Sequence, residues 1–255
     1  MRQIEVRKAL SEGRTVLNGW SVIPGGFLAE VMASLGWDAL TIDMQHGMIS
    51  ETDMLSMLQA ISTTKVTPLV RLGANTPELI GKALDAGAMG VICPLINTAD
   101  DAAQFVSACQ YPPLGVRSSG ATRAMIYAGF DYGANADAQV MKFAMIETRD
   151  ALRNLDMIAA TPGLDGLYVG PSDLSLAHGS KQGFDLDEPH MMEAYKAIAA
   201  ACQKYNLAAG IHTASPEFAG RMQEIGYRFI TLVGDFNFIL AGRGQVGAAR
   251  KLLGD

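Results

Sequence analysis

Residues 142–148 read KFAMIET and residues 167–174 read LYVGPSDL. Each is a short apolar run that stops at a carboxylate, Glu147 in the first and, just past the Gly170-Pro171 turn, Asp173 in the second. Apolar runs of this length, bounded by turn residues, have the composition of strands buried on both faces, which belong to parallel sheets. In a barrel of such strands, polar residues at the C-terminal strand ends converge on one mouth however far apart they lie in sequence. Two carboxylates delivered there by neighbouring strands are the hard oxygen ligands that a divalent cation takes.

Outward from this pair, strand-like and helix-like segments alternate. Strands are expected at 15–22, 39–43, 66–71, 90–95, 142–147, 166–170, 208–212 and 228–233. Helices are expected at 2–12, 27–36, 51–62, 77–86, 98–109, 149–160, 216–225 and 236–253, with more between 171 and 205. Ser50 and Asp53 have the spacing of a capping-box variant at the start of the third helix. Residues 111–135, with Tyr111-Pro112-Pro113, Gly115, Gly120 and Gly129, break the rhythm and read as a long lid or binding loop. Alternation of strand and helix implies parallel strands with right-handed crossovers, and eight strands predict a closed (β/α)8 TIM barrel, α/β in class. No linker or repeat divides the chain, so residues 1–255 read as a single domain.

Composition narrows the function. A hydrophobic content of 49% against 18% charged residues belongs to a well-buried globular protein. The net charge of −6, without a dense Lys/Arg stripe, argues against a nucleic-acid partner. No apolar stretch approaches the roughly 20 residues of a membrane span, so no membrane partner is expected. The N-terminal MRQIEVRKALSEGR lacks the apolar core of a signal peptide. Cys93, Cys109 and Cys202 are odd in number and scattered, which suits reduced thiols in a cytoplasmic protein and offers no metal-thiolate spacing.

The strand ends collect chemistry: Trp20 after the first strand, Asp43 and His46 after the second, Arg71 at the third, Glu147 at the fifth, Ser172 and Asp173 after the sixth, and His212 at the seventh. Glu147 and Asp173 leave most of an octahedron to water and substrate, as Mg²⁺ or Mn²⁺ prefers, and such a cation stabilises an enolate. Arg71 offers a planar donor fork for a substrate carboxylate or oxyanion. His46 titrates near neutrality and suits acid–base work; Asp85 is a candidate to orient its ring. Gly170-Pro171-Ser172-Asp173 precedes a helix whose backbone N–H groups suit a carboxylate. Arg123, in the long loop, is a candidate for the distal end of a substrate. His212, like His178 and His190, reads as structural or exposed.

These stretches resemble the HpcH/HpaI aldolases, metal-dependent class II enzymes that form pyruvate. The resemblance runs from about Gly19 to Ala249 and rests on IDMQHG, PLVRLG, KALDAGA, YPPLGVR, MIETRDAL, DGLYVGPSDLS, GIHT and LVGD. It implies a barrel whose C-terminal helix is exchanged between subunits, in homo-oligomers that are commonly hexamers built as trimers of dimers. It implies Glu147 and Asp173 as ligands of Mg²⁺, Mn²⁺ or Co²⁺, with His46 as the acid–base residue aided by Asp85. Arg71 then binds pyruvate and stabilises its enolate, while Trp20, Gly170, Pro171, Ser172 and Asp173 contact substrate. Two departures stand out: Met44-Gln45 where many members have Gly-Glu, and Met145 where many have a substrate-binding glutamine. Methionine cannot donate a hydrogen bond, so a more apolar acceptor aldehyde is expected. The implied activity is reversible cleavage of a 4-hydroxy-2-oxo acid to pyruvate and an aldehyde. Two alternatives are a CoA-thioester lyase of the citrate lyase β or malyl-CoA type, and a non-catalytic barrel that binds keto acids.

Overall fold

The computed structural model describes residues 1–254. Eight parallel strands close in sequence order into a barrel. They are β1 (Val16–Ser21), β2 (Ala39–Asp43), β3 (Thr67–Arg71), β4 (Gly90–Cys93), β5 (Met141–Ile146), β6 (Gly166–Val169), β7 (Ala208–His212) and β8 (Phe229–Gly234). The chain opens with α1 (Glu5–Ser11), and α2 (Gly26–Ala33), α3 (Glu51–Ile61), α4 (Pro77–Asp85) and α5 (Ala99–Cys109) follow the first four strands. Every residue of β2 to β6 is buried, as the continuous apolar runs demand.

Helix starts are written into the sequence and fall at the mouth. Ser50 accepts from the Asp53 backbone N–H at 3.2 Å while the Asp53 carboxylate accepts from the Ser50 N–H at 3.0 Å, closing the expected box. Thr98 and Asp101 do the same for α5. Beyond β5 the expected helix 149–160 is broken at Asn154 into α8 (Arg149–Arg153) and α9 (Leu155–Ala159). It is followed by α10 (Pro171–Ala177), α11 (Pro189–Lys204), α12 (Pro216–Ile225) and α13 (Asp235–Leu253).

Residues 111–135 depart from expectation. They contain most of two helices, α6 (Thr122–Ala128) and α7 (Tyr132–Gln139), and they pack on the helix ring instead of covering the mouth. Buried Arg117 lies over the rings of Tyr111 and Tyr132 at 4.6 and 5.4 Å and donates to Asp85 at 2.8 Å. Arg123 donates to the Ala86 and Leu58 carbonyls at 2.8 and 3.2 Å. Both carbonyls belong to the far ends of helices whose N-termini face the mouth, so the segment is pinned toward the opposite side of the barrel.

Register places the chemistry. Asp43 pairs with Arg71 across β2 and β3, Trp20 stands beside Thr41 and Gly234, and Ile146 and Ile211 both flank Val169. Continued by one residue, that last register sets Glu147, Gly170 and His212 side by side. Beneath them lies a polar layer. Asn18 donates to Thr231 at 2.9 Å, Thr41 donates to Asn18 at 3.0 Å, and the Tyr168 hydroxyl donates to Thr231 at 2.7 Å. Each buried polar group here has a partner, which fixes the floor of the mouth.

The last helix is the exception to the compact ring. Of its 19 residues only Asp235 is buried; Phe236, Ile239, Val246, Leu252 and Leu253 are all more than half exposed. Asp235 ties its start to β1 by accepting from the Val22 and Ile23 N–H groups at 3.0 and 3.1 Å. Among the described residues no helix is long and apolar enough to cross a membrane. The three cysteines are buried and free, and burial pushes the thiols of Cys109 and Cys202 up to about 12, so they are inert.

Candidate active site

At the C-terminal strand ends lies a cleft of about 510 Å³. Its lining includes Trp20, Asp43, His46, Arg71, Met145, Glu147, Gly170, Pro171, Ser172, Asp173 and His212. The barrel has therefore brought together every predicted site residue except Asp85 and Arg123.

Arg71 is set by Asp43. Its Nε donates to Asp43 Oδ1 at 2.8 Å and its Nη2 donates to Oδ2, a bidentate fork. Trp20 completes the frame: the guanidinium lies 5.0 Å from its ring centroid, and the indole N–H donates to Asp43 at 3.2 Å. Burial alone raises the Asp43 carboxyl, but Arg71 and the N–H groups of His46 and Gln45 outweigh it and hold it below the usual carboxylate range. Arg71 Nη1 has no hydrogen-bond partner among the described residues and is the donor left for a ligand. The imidazole of His46 is likewise unengaged and exposed at the rim, its backbone N–H bonded to Asp43 at 3.2 Å.

Glu147 is buried, and its Oε1 accepts from the Leu95 N–H at 2.8 Å. Burial, with the Asp173 charge adding to it against the Leu95 bond, pushes its carboxyl up to about 7. Gly170 makes room for it, because a Cβ there would meet Glu147 Oε2 at 2.6 Å. Two carboxylates sharing a cleft, one of them buried against its own desolvation cost, form a hard oxygen donor pair that fits Mg²⁺, Mn²⁺ or Co²⁺. Among the described residues no group of three or more His, Cys, Asp or Glu side chains is arranged to hold a metal. The remaining positions of such a cation would fall to water and substrate.

The model of the HpcH/HpaI aldolase/citrate lyase family matches residues 25–237. The chain belongs to this family. It is 38% identical over 249 residues to a hydroxypyruvate/pyruvate aldolase of Rhizorhabdus wittichii, covering 98% of this chain and 99% of that protein. It is 33% identical to a 4-hydroxy-2-oxo-heptane-1,7-dioate aldolase of Escherichia coli, covering 96% and 93%. A crystal structure of an HpcH/HpaI aldolase/citrate lyase family protein from Burkholderia cenocepacia superposes with a TM-score of 0.90 at 32% identity, over 97% of this chain and all of that one.

Within this HpcH/HpaI site, three sequence expectations change. Asp85 closes α4, on the side of the barrel away from the mouth, and accepts from Arg117; it does not orient His46 of its own chain. Arg123 is committed to two backbone carbonyls and does not reach the cleft. His212, expected as structural or exposed, is half-buried at the mouth. It lines the cleft, with its ring centroid 5.0 Å from Trp20 and 4.9 Å from Phe184. Tyr168, Phe184, Phe236 and Asn237 also line the cleft and were not foreseen. Tyr168 sits inside an apolar strand run with no polar signal, Phe184 lies on the connection before α11, and Phe236 and Asn237 lie in the first turn of α13, whose position over the mouth depends on the closed barrel.

Proposed function

We propose that this chain is a metal-dependent class II aldolase that reversibly cleaves a 4-hydroxy-2-oxo acid to pyruvate and an aldehyde. The observation that carries this reading is the convergence, in one cleft, of the Glu147–Asp173 oxygen pair with the free Nη1 of Arg71 and the unengaged ring of His46. Glu147 and Asp173 would hold Mg²⁺, Mn²⁺ or Co²⁺, which supplies Lewis-acid charge at the 2-oxo group when bound. Arg71, oriented by Asp43 and Trp20, donates Nη1 to the substrate carboxylate or to the enolate oxygen as charge develops there. The Gly170–Asp173 turn receives the 2-oxo acid. His46 accepts the proton of the C4 hydroxyl, directly or through a water. As that oxygen becomes the aldehyde carbonyl, the C3–C4 bond breaks and its electron pair passes into the enolate. Protonation at C3 releases pyruvate, and the reverse sequence joins the two fragments.

The rise of Glu147 matters to loading, because a proton and a cation compete for its carboxylate. A CoA-thioester lyase would need a basic groove for the nucleotide, and among the described residues Arg71 is the only lysine or arginine lining the cleft. The apolar surface of α13 is assigned to a neighbouring copy, in a homo-oligomer of the hexameric kind. In such an assembly any aid from Asp85 to His46 passes between copies, since the two stand at opposite sides of one barrel.

The test is pyruvate release from a panel of 4-hydroxy-2-oxo acids, with the protein stripped by chelation and reloaded with each cation. Turnover is expected only with metal, and E147A or D173A should lose about 10³-fold in kcat/KM, the several kcal/mol of a Lewis-acid contribution. Metal-independent turnover, or a fully active E147A, refutes the assignment.

A further inference from the structure

We propose that His212 selects the second substrate, reading a hydroxyl on an uncharged hydroxyaldehyde. The inference rests on the aldolase reading above and concerns the acceptor half of the same cleft.

His212 ends β7 one residue past the Val169–Ile211 pair, which sets it beside Gly170, and it lines the same cleft as Arg71 and Glu147. Its nitrogens have no hydrogen-bond partner among the described residues. Trp20 and Phe184 wall the ring on two sides, leaving the cleft as the direction from which a partner can arrive. Burial, and then the charge of Arg71, push the imidazole down to about 3, so at neutral pH it is uncharged. A neutral imidazole carries one N–H donor and one acceptor nitrogen. That is the complement of a hydroxyl, and it has no charge with which to attract a carboxylate.

The rest of the cleft agrees. Its acids are Asp43, Glu147 and Asp173, and its one cation, Arg71, is already spanned by Asp43. With the metal cation and Arg71 Nη1 taken up by the 2-oxo acid, an acceptor with an anionic tail would find no further lysine or arginine among the described lining residues to meet it. Arg123, which sequence offered for that purpose, is fixed on the helix ring. The subsite is also built in advance. Asp185 accepts from the Ala214 N–H at 2.8 Å and from the Ser215 hydroxyl at 2.6 Å, clasping the segment that carries Phe184 to the residues just after His212.

The experiment runs the condensation with pyruvate and metal-loaded full-length protein, comparing glycolaldehyde with acetaldehyde, which lacks the hydroxyl, and glyceraldehyde with the anionic succinic semialdehyde. The wild type should favour glyceraldehyde over succinic semialdehyde. H212L should lower the glycolaldehyde-to-acetaldehyde ratio of kcat/KM about tenfold, the scale of one lost hydrogen bond. H212Q, which keeps a donor and an acceptor, should recover part of it; a ratio of rates is insensitive to a general loss of active protein. H212A, which likewise lacks a donor and an acceptor, serves the same comparison if H212L does not fold. A ratio unmoved by these variants, or a wild type that prefers succinic semialdehyde, overturns the proposal. Metal-dependent exchange of the pyruvate methyl protons in D₂O needs no acceptor and tests the aldolase reading separately. Exchange with an unmoved ratio removes only the role of His212, whereas absent exchange removes both.

Discussion

His212 also makes a stability statement at the scale of one residue. Its folded-state pKa, about 3, lies below the ordinary 6.5, so between these values the unfolded chain binds a proton that the folded chain refuses. Its contribution is therefore fully present above about pH 6.5 and is lost as pH falls toward 3, at no more than ~1.4 kcal/mol per pH unit. H212Q should flatten the dependence of the urea midpoint on pH in that window, and an unchanged slope would show that His212 titrates freely. The same residue marks the limit of what sequence disclosed about the site. Glu147, Asp173, Arg71 and His46 were legible as candidates because each lies at or just past a strand end and carries a group that chemistry uses. His212 ends a strand too, but whether such a histidine faces the mouth or the outside is decided by barrel tilt and by Trp20 and Phe184, none of which spacing reveals. The fork between Asp43 and Arg71 was hidden for a related reason, since it exists only through the β2–β3 register.

Elements set how much a site can tolerate. The β6–α10 turn passes so close to Glu147 that Gly170 is the residue that fits there: a Cβ would sit 2.6 Å from Oε2. G170A should therefore weaken Mn²⁺ binding by about 10–100-fold, the range for disturbing a ligand's support. Calorimetric titration with Mn²⁺, alongside a melting curve showing a retained fold, would measure this; wild-type affinity would show that Glu147 moves aside at little cost. The strands and most helices were readable from apolar runs and capping residues, Ser50 and Asp53 foremost. Residues 111–135 were not, because their helices are short and flanked by Pro and Gly, and are held by tertiary contacts of Arg117 and Arg123 more than by a strong amphipathic repeat. The distance between Asp85 and His46 within one chain was hidden similarly, because a barrel helix carries its C-terminal residues away from the mouth.

For the whole molecule, α13 is the part that one barrel leaves unsatisfied. Its exposed Phe236, Ile239, Val246, Leu252 and Leu253 form too much apolar surface for a free helix in water. Deleting residues 238–255 should leave the barrel folded and lower the mass of the particle in sedimentation velocity, and an unchanged mass would show that assembly uses another face. Residues 111–139 raise a different question, that of timing. Loop-gated enzymes wait on hinge motions of microseconds to milliseconds. A segment nailed by two arginines to the side of the barrel cannot keep such a clock. Small aldehydes need not queue behind it, and the same open door serves synthesis and cleavage.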